Sequence, residues 1–167
     1  MKRNTAAFCA LGALALPGIA SIALIVPELL HRASGAHPLP TPVPLLTAIA
    51  IAQVALLTAV AIAVGLATAP RAGLHSAIVQ RVHGEPAGRI DAILGTSAGV
   101  ALAAALWIAD RMLAAYDPAL AEAIANAMPA DWTLRLTGVF YGGVVEELLM
   151  RWGVVSLVAW GAWRLFQ

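Results

Sequence analysis

The sequence predicts an all-α fold: a polytopic transmembrane helical bundle of four full spans plus a short or incomplete fifth helix. It is read as one membrane domain over residues 1–167. Composition is the first observation behind this. The chain is 61% hydrophobic and 11% charged, with a mean hydropathy of +0.85, well outside the range of soluble domains. The second is the distribution of charge. Asn4–Pro27, Pro38–Pro70 and Ala92–Ala109 contain no Lys, Arg, Asp, Glu or His. Each is long enough for about one bilayer crossing at ~1.5 Å per residue. A soluble helix would need a charged face at helical spacing, and these stretches have none.

Span one is expected at about 6–26, stopped by Pro27 and Glu28. Met1-Lys2-Arg3 before Ala6–Ala20 also has the form of a signal peptide. The apolar run continues through Ser21–Val26 without a polar region, which favours an uncleaved first span. Prolines at 38, 40, 42 and 44 then predict an extended connection. Span two, at about 45–67, is closed by Pro70 and Arg71. Leu74, Ile78 and Val82 recur every four residues and predict a short helix on the membrane surface, ended by Gly84.

Span three is expected at about 92–109, with Gly95 and Gly99 allowing close helix approach, as Gly65 does in span two. The loop that follows, Asp110–Asp131, holds a short helix started by Asp117-Pro118 and ended by Pro129. Asp131 is the expected N-cap of span four, at about 132–152, and residues 153–166 form the partial fifth.

Loop charges give the orientation. Lys2, Arg3, Arg71, Arg81 and Arg89 fall on one side; Arg32, Arg111 and Arg135 fall on the other, the last two offset by acids. The positive-inside rule puts the N-terminus in the cytoplasm, with Trp107 and Trp132 at the outer interface and Trp152 at the inner one. The net charge of +1 points to no nucleic-acid partner, and no Lys/Arg run suggests one. The lipid bilayer is the expected partner. Cys9, the lone cysteine, reads as a small buried hydrophobe. His31, His37, His75 and His83 lie in loops at spacings that fit no metal site and read as solvated side chains.

One cluster stands out. Glu146, Glu147 and Arg151 lie within an apolar stretch from Leu136 to Trp163. Three ionised groups standing alone at mid-membrane would cost about 8–10 kcal/mol together, so such groups mark functional sites. Glu147 and Arg151 are four apart with the acid first, the favourable order for a pair on one helix face. Glu146 points about 100° away. Left without a counter-charge, it is poised as a general base for a water molecule. Gly142 and Gly143, one turn earlier, open room for a substrate strand or a neighbouring helix.

The segment Phe140-Tyr141-Gly142-Gly143-Val144-Val145-Glu146-Glu147-Leu148-Leu149-Met150-Arg151-Trp152-Gly153 resembles the first motif of the CPBP family. These are bacterial membrane proteins related to CAAX prenyl endopeptidases, also called Abi proteins. Pro70-Arg71-Ala72-Gly73-Leu74 is a second, weaker likeness. The resemblance implies an intramembrane endopeptidase in the bacterial inner (plasma) membrane. Its substrate would be a membrane-anchored or prenylated peptide. Glu146 would activate the hydrolytic water, while Glu147 and Arg151 brace the site. Complete family members can use a divalent metal such as zinc; no ligand set is evident here, and none is assigned. The family's two later histidine motifs have no counterpart before the chain stops at Gln167, so a partial or inactive version is expected. The alternative is a non-catalytic membrane scaffold or bacteriocin self-immunity factor that binds a partner through the same three residues.

Overall fold

A computed structural model describes residues 2–34, 41–86, 89–127 and 132–166, and every regular element among them is helical. Three helices are long and apolar enough to cross a membrane, within Arg3–Arg32, Val43–Ala72 and Ile93–Tyr116. The described residues form two compact units, one from 1–85 with 132–167 and one from 86–131.

The first unit opens with α1 (Lys2–Ser34), which carries Pro17 and Pro27 inside it. The expected stop at Pro27 is therefore corrected, because the helix runs two further turns. A proline inside a helix frees one carbonyl, and apolar spans tolerate this where neighbours re-satisfy the backbone. Beyond Pro27, Arg32 Nε donates to Glu28 Oε1 at 2.9 Å, an i,i+4 pair that supports the added turns. Helix α2 (Val43–Thr68) starts with Pro44 in its first turn and passes into a 3₁₀ turn, Ala69–Ala72. Thr47, Thr58 and Thr68 are buried on it, and each hydroxyl donates to the carbonyl four residues back, at 2.7–2.9 Å.

Gly73 closes the 3₁₀ turn with φ 71°. Leu74 N donates to Ala69 O at 2.9 Å and Gly73 N to Pro70 O at 3.3 Å, a Schellman-type cap that turns the chain back. Helix α3 (Ala77–Val82) ends the same way: Glu85 N donates to Gln80 O at 2.8 Å, with Gly84 at φ 74°. Leu74 precedes this helix; Val79 is buried in the core and Val82 packs against it, while Ile78 stays exposed.

The chain returns as α6 (Trp132–Thr137), π-helical stretches Gly138–Glu146 and Leu148–Val155, and α7 (Ser156–Leu165). Thr137, Glu147 and Ser156, at the joints, keep helical backbone angles, so these pieces make one continuous C-terminal helix. Residues 153–166 are its last turns rather than a separate fifth helix.

Ala7, Leu11 and Ala15 of α1, Ile62 of α2, Val79 of α3, and Val145 and Leu148 of the C-terminal helix form the core. Lipid is as apolar as these side chains, so close van der Waals contact is what holds such helices together. Small residues make that contact. A Cβ on Gly18 would stand 2.5 Å from Phe140 O, and one on Gly153 would stand 2.8 Å from Ala61 Cβ. The pairs Ala61–Gly153, Gly65–Trp152 and Thr68–Ser156 show α2 running parallel to the C-terminal helix.

The second unit holds α4 (Arg89–Tyr116) and α5 (Pro118–Ala127). Helix α4 continues past the expected end at Ala109. Asp110 and Arg111 lie within it, and the Arg111 guanidinium stacks 5.4 Å from the Trp107 ring centroid. Asp117 caps α5 as the sequence predicts, accepting from Leu120 N through Oδ1 at 3.0 Å. Gly95 and Gly99, expected to allow close helix approach, lie within α4. Cys9, expected to be buried, is exposed. His37, Pro38, Pro40, Pro129, Asp131 and Gln167 lie outside the described residues.

Candidate functional site

The C-terminal helix positions the acidic motif. Glu147 sits between the two π-helical stretches, with φ −63° and ψ −40°. Such turns use i→i+5 hydrogen bonds, are rare at this length, and recur at functional sites. The expected ion pair is present: Arg151 Nε lies 3.0 Å from Glu147 Oε2, the two side chains being 79% and 50% exposed. That exposure limits what the pair contributes to stability and leaves both groups open to a ligand.

Glu147 and Arg151 line a cleft of about 290 Å³. Leu11 and Leu14 of α1, Ile78 of α3, and Leu148 and Trp152 give it apolar walls. Gly143 also lines it, and among the described residues no atom lies within 4 Å of a Cβ built there, so the room predicted at this glycine exists. His75 and Ser76 join the polar side.

Glu146 is placed differently. It is exposed and does not line this cleft. Its Oε2 lies 3.7 Å from a Cβ built on Gly142, so the carboxylate folds back over the previous turn. The three motif residues thus divide, with Glu147 and Arg151 in the cleft and Glu146 beside it.

His75 was expected to be solvated, and it is exposed. What the sequence does not reveal is its neighbourhood. The Schellman-type cap at Gly73 returns the chain so that His75 and Ser76 line the same cleft as a helix more than sixty residues later. Pro70 and Arg71 signalled the end of span two; nothing in the sequence signalled the direction the chain then takes. His83 departs from expectation, since it is half-buried and its Nε2 is buried with no hydrogen-bond partner among the described residues. Trp152 is half-buried and seated on Gly65, and its Nε1 is buried with no hydrogen-bond partner among the described residues.

Chemically, the cleft offers a carboxylate acceptor, guanidinium, hydroxyl and imidazole donors, and apolar walls beside them. That combination suits a ligand with an apolar chain next to an amide or carboxyl group. Among the described residues, no group of three or more His, Cys, Asp or Glu side chains is placed to hold a metal ion, so the residues do not fit the zinc that the family resemblance allows. Comparison with protein-family models, curated proteins and solved structures finds no match to this chain.

Proposed function

We propose that this chain is an intramembrane endopeptidase of the CPBP type, hydrolysing a peptide bond near the membrane-anchored end of its substrate. The observation that carries the reading is the Glu147–Arg151 ion pair lining an apolar cleft among helices suited to a bilayer. Hydrolysis at a bilayer needs a carboxylate that water can reach, a cation to hold it in place and walls that accept an apolar substrate. The resemblance of 140–153 to the family motif points the same way.

In this reading the C-terminal helix is the fourth span, and the N-terminus and the Arg71–Arg89 segment are cytoplasmic in a bacterial plasma membrane. The cleft then opens toward the cytoplasm, because Leu11, Leu14, His75 and Arg151 all lie near cytoplasmic chain segments.

The test uses the purified chain in liposomes with a peptide carrying an S-farnesyl cysteine, analysed by mass spectrometry. Wild type is expected to release a shortened peptide, and Arg151→Ala to release far less. Binding without release would replace this reading with the non-catalytic one, a factor that holds a lipidated partner in the same cleft.

A further inference from the structure

One charge of the motif faces outward from an apolar helix. Glu146 is exposed, and so are Val139 and Phe140 before it. Met150 and Val154, one and two turns after it, are apolar and 63% and 52% exposed. We propose that this face docks a transmembrane helix of a partner protein, one that carries a lysine or arginine at the depth of Glu146. This rests on the reading above, in which the C-terminal helix spans the bilayer with Arg151 toward the cytoplasm.

A carboxylate inside a bilayer is stabilised by reaching the membrane surface or by meeting a counter-charge. Glu146 does not reach for the near surface. Side chains lean toward the N-terminus of their helix, which here is the outer end. Its Oε2 accordingly lies 3.7 Å from a Cβ built on Gly142, one turn deeper. Among the described residues it has no ion-pair partner, and Arg151 is engaged with Glu147 at 3.0 Å. A cation on an approaching helix supplies the missing charge at the right depth. Gly138 and Gly143 are exposed on the same stretch, and residues this small let two helix backbones come close.

A second copy of this chain does not meet the requirement. Two copies insert with one orientation, so their C-terminal helices would lie parallel and set Glu146 beside Glu146, like charges that repel. Arg135 lies about three turns away, toward the outer end. A basic partner helix also leaves intact the role that the family resemblance gives Glu146. A carboxylate has two oxygens and can face a cation with one and water with the other.

The probe is a synthetic single-span helix of about twenty residues, leucine throughout except for one lysine set at the depth of Glu146. A second peptide has leucine at that position. Association with the full chain is measured in liposomes by energy transfer between a dye on the peptide and one at the N-terminus of the protein. The lysine helix is expected to bind the wild-type chain about tenfold or more tightly than the leucine helix. Glu146→Gln should erase that preference. Glu85→Gln, outside the spans, should leave it unchanged. Moving the lysine two turns deeper should remove most of it.

Equal binding of the lysine and leucine helices by the wild type would overturn the proposal, as would a preference that survives Glu146→Gln. Energy transfer between copies of the chain alone, lost in Glu146→Gln, would replace the basic partner with a second copy. Cleavage of the S-farnesyl peptide judges the endopeptidase reading separately. A chain that cleaves it yet shows no preference for the lysine helix would lose the interface alone. A chain that prefers the lysine helix and cleaves nothing would lose the peptidase activity alone.

Discussion

The indole of Trp152 rests on Gly65: a Cβ built on that glycine would overlap Cδ1 and Nε1 of the ring. Trp152 also lines the cleft, so this contact between α2 and the C-terminal helix fixes one wall of the candidate site.

Gly65→Ala is therefore expected to destabilise the first unit by about 1–3 kcal/mol through overpacking. Thermal unfolding in detergent reads the effect. Trp152→Leu in the same chain should recover part of it, because the ring is what the new methyl strikes. Additive losses in the double variant would contradict the contact.

Three turns of α2 are tied to the C-terminal helix by a different device at their end. The hydroxyls of Thr68 and Ser156 meet at 2.9 Å and are both buried. Hydrogen bonds between membrane helices average about 0.6 kcal/mol in double-mutant cycles. Thr68→Val and Ser156→Ala should show a coupling of that order, and a coupling indistinguishable from zero would remove this bond from the packing account.

Gly73 carries a φ of 71°, and no atom among the described residues lies within 4 Å of a Cβ built there. Its replacement is thus a test of backbone alone. Gly73→Ala should cost about 1–2 kcal/mol, the penalty for a left-handed L-residue. Gly73→Asn should cost less, since asparagine visits that region more readily. In the same experiments Gly73→Ala should reduce turnover, because it disturbs the turn that delivers His75 and Ser76. Unchanged turnover in a destabilised Gly73→Ala protein would detach that turn from the site.

For Arg151→Ala the expected split is different. The pair with Glu147 is exposed at both ends, so its loss should change folding stability by only about 0–1 kcal/mol. Turnover of the lipidated peptide should fall much further than stability does. A collapse in folded yield with normal specific activity would assign the pair to architecture instead.

Much of the helical layout was legible because charge is so sparse. The charge-free stretches located α1, α2 and α4, and the four-residue spacing of Glu147 and Arg151 foretold their pairing. Helix ends were less legible. Pro27 and Asp110 look like stops in sequence, yet an apolar helix tolerates the proline, and α4 carries Asp110 and Arg111 within it as far as Tyr116. The tertiary parts of the site were not legible. Nothing local to His75 or Trp152 states that one meets the cleft and the other sits on Gly65, since both depend on the register between α2 and the C-terminal helix.

The most direct measurement of the central claim is product analysis after incubating the liposome-embedded protein and the S-farnesyl cysteine peptide in H₂¹⁸O. Hydrolysis at the cleft predicts a shortened peptide whose new carboxyl group carries one ¹⁸O, with the yield collapsing in Glu147→Asp. Intact peptide recovered from the wild-type reaction, or a product formed equally by wild type and Glu147→Asp, would contradict it.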